Sequence, residues 1–97
     1  MQRIVIVHAD PRTAAHWAAA LSQEGYPVAT AASFDDGKAL LAGTLPALLI
    51  ASVRLGAYNG LHLVIRGRLD YPHMAAILVS ERSDPALEAE AGKYGAA

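Results

Sequence analysis

Ile4-Val5-Ile6-Val7-His8-Ala9-Asp10-Pro11 opens the chain with four consecutive β-branched residues, then changes chemistry abruptly. An unbroken β-branched run marks a strand covered on both faces, because alternation disappears when neither face meets water. Asp10 can then cap a helix, and Pro11 fits its first turn, where no N–H is needed. The stretch therefore reads as one βα unit with a buried strand.

Three more units follow. The first helix is expected through Trp17 and Leu21 to about Glu24, where Gly25 stops it. Tyr26 to Ala31 reads as a strand. Ser33 caps a helix whose first turn holds Asp35 and Asp36, favoured by the dipole, and which ends at Ala42 before Gly43. Ala47 to Ser52 reads as the third strand. Asn59-Gly60 begins a helix to about Asp70, broken by Tyr71-Pro72; Gly67 inside it costs about 1 kcal/mol against alanine. Ala75 to Ser80 is the fourth strand, and Ser83-Asp84-Pro85 opens a helix to about Lys93. The order βαβαβαβα predicts an α/β fold with a parallel sheet and right-handed crossovers.

Composition narrows the function classes. The 97 residues suit one domain, and 54% hydrophobic with 18% charged content suits a packed core rather than disorder. A net charge of −1 gives no electrostatic footprint for nucleic acid or an anionic membrane. The lack of cysteine removes disulfide and thiolate chemistry and fits a reducing, cytoplasmic setting. The apolar runs are too short and broken to span a membrane, and the amino terminus lacks signal-peptide features.

Several segments, in order, carry a resemblance. Ile4 to Pro11 resembles the first strand and acidic loop of bacterial response-regulator receiver (CheY-like) domains. Gly25-Tyr26-Pro27-Val28 resembles their turn into the second strand. Pro46 to Ile50 resembles the run into the phosphorylation site, and Asn59-Gly60-Leu61 the start of the third helix. Ile77-Leu78-Val79-Ser80 resembles the fourth strand with its terminal hydroxyl, and Lys93-Tyr94-Gly95-Ala96 the turn into a fifth strand. The resemblance covers residues 1–97 as a single receiver-like domain. It implies a flavodoxin-like doubly wound sheet of order 2-1-3-4, with the site at the carboxyl ends of the strands. The fifth βα unit, with its lysine and switch aromatic, is missing. The resemblance thus implies a C-terminally incomplete domain from the amino-terminal part of a longer protein, with strand four as an open edge.

The departures matter as much. Ser52 stands at the phosphoacceptor position, and His8 and Ala9 replace the acidic pair, leaving Asp10 from the acidic pocket. Ser80 matches the switch hydroxyl. The metal-ligand positions correspond to Asp10, Ser52 and the Arg54 carbonyl. Magnesium takes carboxylates, phosphate and waters in near-octahedral geometry, so its binding is expected to be lost or weak and no cofactor is expected.

His8, Ser52 and Asp10 also invite comparison with a Ser-His-Asp triad. The sequence lacks the Gly-x-Ser-x-Gly elbow, so no catalytic residues are assigned and the chain is not read as an enzyme. His8, His16, His62 and His73 match no compact metal-ligand spacing. Trp17 and Leu21 form an apolar helical stripe for the core. Arg66 and Arg68, and the acidic run Glu81 to Glu90, read as solvated faces. Gly56 to Gly60 reads as a mobile loop rather than a phosphate cradle.

The resulting expectation is a pseudo-receiver in two-component or phosphorelay signal transduction. It would act as a protein-interaction or dimerisation module without aspartyl phosphorylation. The implied partners are a second copy, a histidine kinase or an output domain following Ala97. The alternative is a small anionic ligand in the pocket vacated between His8, Asp10, Ser52 and Ser80.

Overall fold

The computed structural model describes residues 2–96 apart from 81–84, and says nothing of the Thr44 side chain. Four strands form one parallel sheet: β1 (Ile4–Val7), β2 (Val28–Ala31), β3 (Leu48–Ser52) and β6 (Ala75–Val79), in the order β2-β1-β3-β6. A two-stranded antiparallel hairpin, β4 (Arg54–Leu55) and β5 (Tyr58–Asn59), follows β3. The helices are α1 (Pro11–Gln23), α2 (Phe34–Thr44), α3 (Leu61–Asp70) and α4 (Pro85–Lys93). This is the flavodoxin-like order expected from the sequence.

The β-branched run does what its pattern requires. Val5, Ile6 and Val7 are completely buried, because β1 lies between β2 and β3 with helices on both faces. Burying each such side chain contributes about 1.5–3 kcal/mol relative to exposure. The period of two sorts the run between two cores. Val5 and Val7 join Leu49, Ala51, Leu63 and Val64 on the α2–α3 side. Ile4 and Ile6 join Ala14 on the α1 side, where Trp17 and Leu21 pack as expected.

Cover on the α1 side thins away from β1. Leu48 and Ile50 of β3 are half-buried, and Ile77, opposite Ile50 on β6, is 38% exposed. β6 is the outer strand on the β3 side of the sheet. After α4 the chain turns back to it, and Ala96 forms a parallel bridge with Ala76.

Several boundaries differ from expectation. Asp10 caps α1 and Gly25, at φ +90°, follows its end, as expected. β2 starts at Val28 rather than Tyr26, because Pro27 offers only its carbonyl, to Ile4 N. α2 runs through Gly43 to Thr44, since its C-cap is Leu45 in the left-handed region, immediately before Pro46. α3 starts at Leu61, because residues 54–59 are taken by the hairpin. The expected helix opening at Ser83-Asp84 and the first part of the acidic run at 81–84 lie outside the described residues.

Candidate functional site

The register gathers the expected residues at the carboxyl edge. Val7 lies opposite Ala51, Ala51 opposite Leu78, and Ser52 opposite Val79. His8, Ser52 and Ser80 therefore sit at the ends of three adjacent strands. His8 N donates to Ala31 O at 3.0 Å, and Val53 N to Val79 O at 2.9 Å, extending the ladder into the loops.

On the amino-terminal side, Asp10 and His8 Nδ1 are engaged within the β1–α1 turn. Asp10 accepts from Arg12 N through Oδ1 and from the Thr13 hydroxyl through Oδ2, both at 3.0 Å. The Arg12 N–H bond is the main cause holding its carboxyl below the usual range, with the Thr13 hydroxyl next. Asp10 N donates to His8 Nδ1 at 3.0 Å. The half-buried His8 ring meets Trp17 edge-on, with centroids 5.2 Å apart and planes at 86°. Ala9 is exposed and brings no polar side chain.

Ser52 is half-buried at the end of β3, and its Oγ donates to the Arg54 carbonyl at 3.3 Å, a long contact for a hydroxyl. That carbonyl corresponds to a metal-ligand position in the resemblance. Ser80 follows β6 and is exposed. A catalytic triad needs the imidazole to donate Nδ1–H to a carboxylate and to accept the serine proton. Here Nδ1 accepts a backbone N–H, the Asp10 carboxylate serves the helix, and the Ser52 hydroxyl bonds Arg54.

The other histidines are spread apart. His16 lies on α1, His62 on α3 and His73 after it, all exposed. Among the described residues no group of three or more His, Cys, Asp or Glu side chains could hold a metal ion. A cavity of about 530 Å³ opens beside β2, between α1 and α2, lined by Pro11, Thr30, Asp36 and Leu40 among others. It does not coincide with the pocket expected between His8, Asp10, Ser52 and Ser80.

Three features escaped the sequence reading. The segment after β3 is a hydrogen-bonded hairpin rather than an open loop: Leu55 is buried, and Tyr58 stacks on Phe34 with centroids 4.7 Å apart. Gly56 at φ +65°, with Ala57, forms its two-residue turn, and a glycine leading such a turn was the available signal. Asn59 Oδ1 accepts from Leu61 N at 2.8 Å, so Asn59 rather than Gly60 supplies the cap of α3. Arg68 is half-buried and donates to Met74 O, so Arg66 alone of the two arginines fits the solvated-face reading.

No family model matches the chain. A CheY-like response regulator receiver domain protein from Methanospirillum hungatei superposes with a TM-score of 0.92 at 25% identity, over 99% of this chain and 77% of that one. The chain has the fold of CheY-like response-regulator receiver domains and is similar to them in sequence. A second solved structure, of a response regulator protein from Burkholderia pseudomallei, carries a phosphorylated aspartic acid and a calcium ion. Its TM-score is 0.92 at 21% identity, over 99% of this chain and 56% of that one. Among curated proteins, the alginate biosynthesis transcriptional regulatory protein AlgB of Pseudomonas aeruginosa is 34% identical over 89 residues. The match takes in 90% of this chain and 20% of AlgB, so the chain spans about a fifth of that relative. Among the described residues, no helix of this chain is long and apolar enough to cross a membrane.

Proposed function

We propose that this receiver domain is a pseudo-receiver, transmitting signals through protein contacts without aspartyl phosphorylation. The observation that carries the reading is Ser52 at the carboxyl end of β3, between the ends of β1 and β6, where receivers place their acceptor carboxylate. An alcohol is a poor phosphoryl acceptor without a base and a metal beside it. Phosphoryl transfer depends on a metal and positive groups to neutralise developing charge. The donors at this edge do not fit magnesium. Asp10 caps α1, His8 is an imidazole engaged through Nδ1, and the Arg54 carbonyl receives the Ser52 hydroxyl. One committed carboxylate and a carbonyl do not meet an ion that needs near-octahedral oxygen ligands.

The partner is proposed as an output domain following Ala97, a histidine kinase or a second copy of the chain, in the cytoplasm. Support comes from the likeness to a transcriptional regulatory protein of which the match covers 20%, and from the thinly covered strip of Leu48, Ile50 and Ile77.

Two measurements test the reading. Intact-mass spectrometry after incubation with acetyl phosphate and Mg²⁺, on the wild type and Ser52→Ala, is expected to show no added phosphoryl mass. Amide NMR titration with Mg²⁺ and then beryllofluoride is expected to leave the carboxyl edge unmoved. Shifts confined to residues 8–10, 52–54 and 80 would overturn the reading.

A further inference from the structure

The β1–α1 turn satisfies its own polar groups. Asp10 N donates to His8 Nδ1, and Asp10 O accepts the first helical bond from Ala14 N at 3.2 Å. Both carboxylate oxygens accept from the first turn of α1. The His8 ring is fixed from a third direction by the edge of Trp17, itself packed against the α1-side core of Ile4 and Ile6.

The geometry points to His8 as a positioning residue that commits Asp10 to α1. This rests on the pseudo-receiver reading and adds its cause: the remaining carboxylate is withdrawn from the pocket by its neighbour's imidazole. A ring nitrogen that accepts an N–H carries no proton, so neutral His8 holds its proton on Nε2. With the residue 10 amide pinned by Nδ1, the Asp10 side chain is aimed along the turn at Arg12 N and the Thr13 hydroxyl. Substituting His8 for an acid thus removes one carboxylate and sequesters a second.

Two variants separate the acceptor from the packing. His8→Phe keeps a ring against Trp17 but has no acceptor. His8→Asn keeps an acceptor on the atom bonded to Cγ, where Nδ1 stands. In the intact chain, protection of the Asp10 amide from hydrogen exchange is expected to fall about fivefold in His8→Phe and to persist in His8→Asn.

In a Ser52→Asp background, adding His8→Phe is expected to strengthen Mg²⁺ binding at least about threefold, by freeing a second carboxylate. Adding His8→Asn is expected to leave it unchanged. Equal Mg²⁺ affinity across the three proteins, or equal amide protection in wild type and His8→Phe, overturns the assignment. The wild-type imidazole nitrogen shifts give a check that needs no variant: a proton on Nδ1 overturns it as well. Phosphorylation of the wild type would sink the pseudo-receiver reading alone, because these comparisons are differences between variants.

Discussion

Gly60 lies against the main chain of Ser52, so close that a Cβ at position 60 would run into the Ser52 carbonyl oxygen. The same Cβ would stand 2.9 Å from the carbonyl carbon and 3.3 Å from Ala51 Cβ. The end of β3 and the start of α3 thus meet backbone to backbone. Gly60 N closes the loop by donating to Val53 O at 2.9 Å. The edge position of Ser52 is set by this contact as well as by the ladder to Val79.

Gly60→Ala is therefore expected to destabilise the domain by about 1–3 kcal/mol, because neither backbone segment can yield without breaking a hydrogen bond. Gly67→Ala is the control. Its Cβ would meet Met74 Cε at 2.8 Å, the mobile end of a flexible side chain, while the helix gains about 1 kcal/mol in propensity. Urea midpoints should fall clearly for the first variant and stay near wild type for the second. Equal loss in both would contradict the backbone-contact account.

Leu45 combines two unfavourable features. It ends α2 at φ 52° and ψ 60°, and its side chain is 74% exposed. A leucine there strains its Cβ and recovers little by burial. Leu45→Gly is expected to raise stability by about 0.5–1 kcal/mol, the relief of strain less the extra freedom glycine gives the unfolded chain. Thermal unfolding at fixed concentration measures it.

Tyr71 ties the ends of two helices together. Its hydroxyl donates to Leu41 O at 2.7 Å, in the last turn of α2. Tyr71→Phe keeps the ring and should cost about 1 kcal/mol. Hydrogen exchange should quicken first in the last turn of α2, with β1 protected as before; uniform loss throughout the chain would count against this local tie.

Asp10 makes the domain sensitive to acid. Its folded-state carboxyl is held low, chiefly by Arg12 N–H and then by the Thr13 hydroxyl. The unfolded chain therefore binds this proton at higher pH, near the ordinary value of about 3.9. The stabilisation is fully present above that value and is lost as pH falls through the lower folded value. Asp10→Asn keeps a cap acceptor without the titration. Between about pH 6 and pH 3 its stability should fall less than that of the wild type. Parallel urea curves at each pH decide it, and identical falls would remove Asp10 as the source.

The sequence alone determined the βα alternation, because burial on both faces forces a β-branched run at Ile4 to Val7 and capping chemistry is local to Asp10 and Ser33. It also determined which residues stand at the strand ends, since the family resemblance and the parallel register place His8, Ser52 and Ser80 together. Only the tertiary structure decided what those residues bond to. The commitment of Asp10 to α1, the His8–Trp17 edge contact and the Tyr58–Phe34 stack depend on where side chains from different elements arrive. The hairpin after β3 and the last turn of α2 were likewise misjudged from sequence. Leu55 is drawn into a core it cannot reach locally, and Pro46 with a left-handed Leu45 overrides the glycine at 43. Local preferences are worth about 1 kcal/mol each, and packing between distant residues outweighs them wherever the two compete.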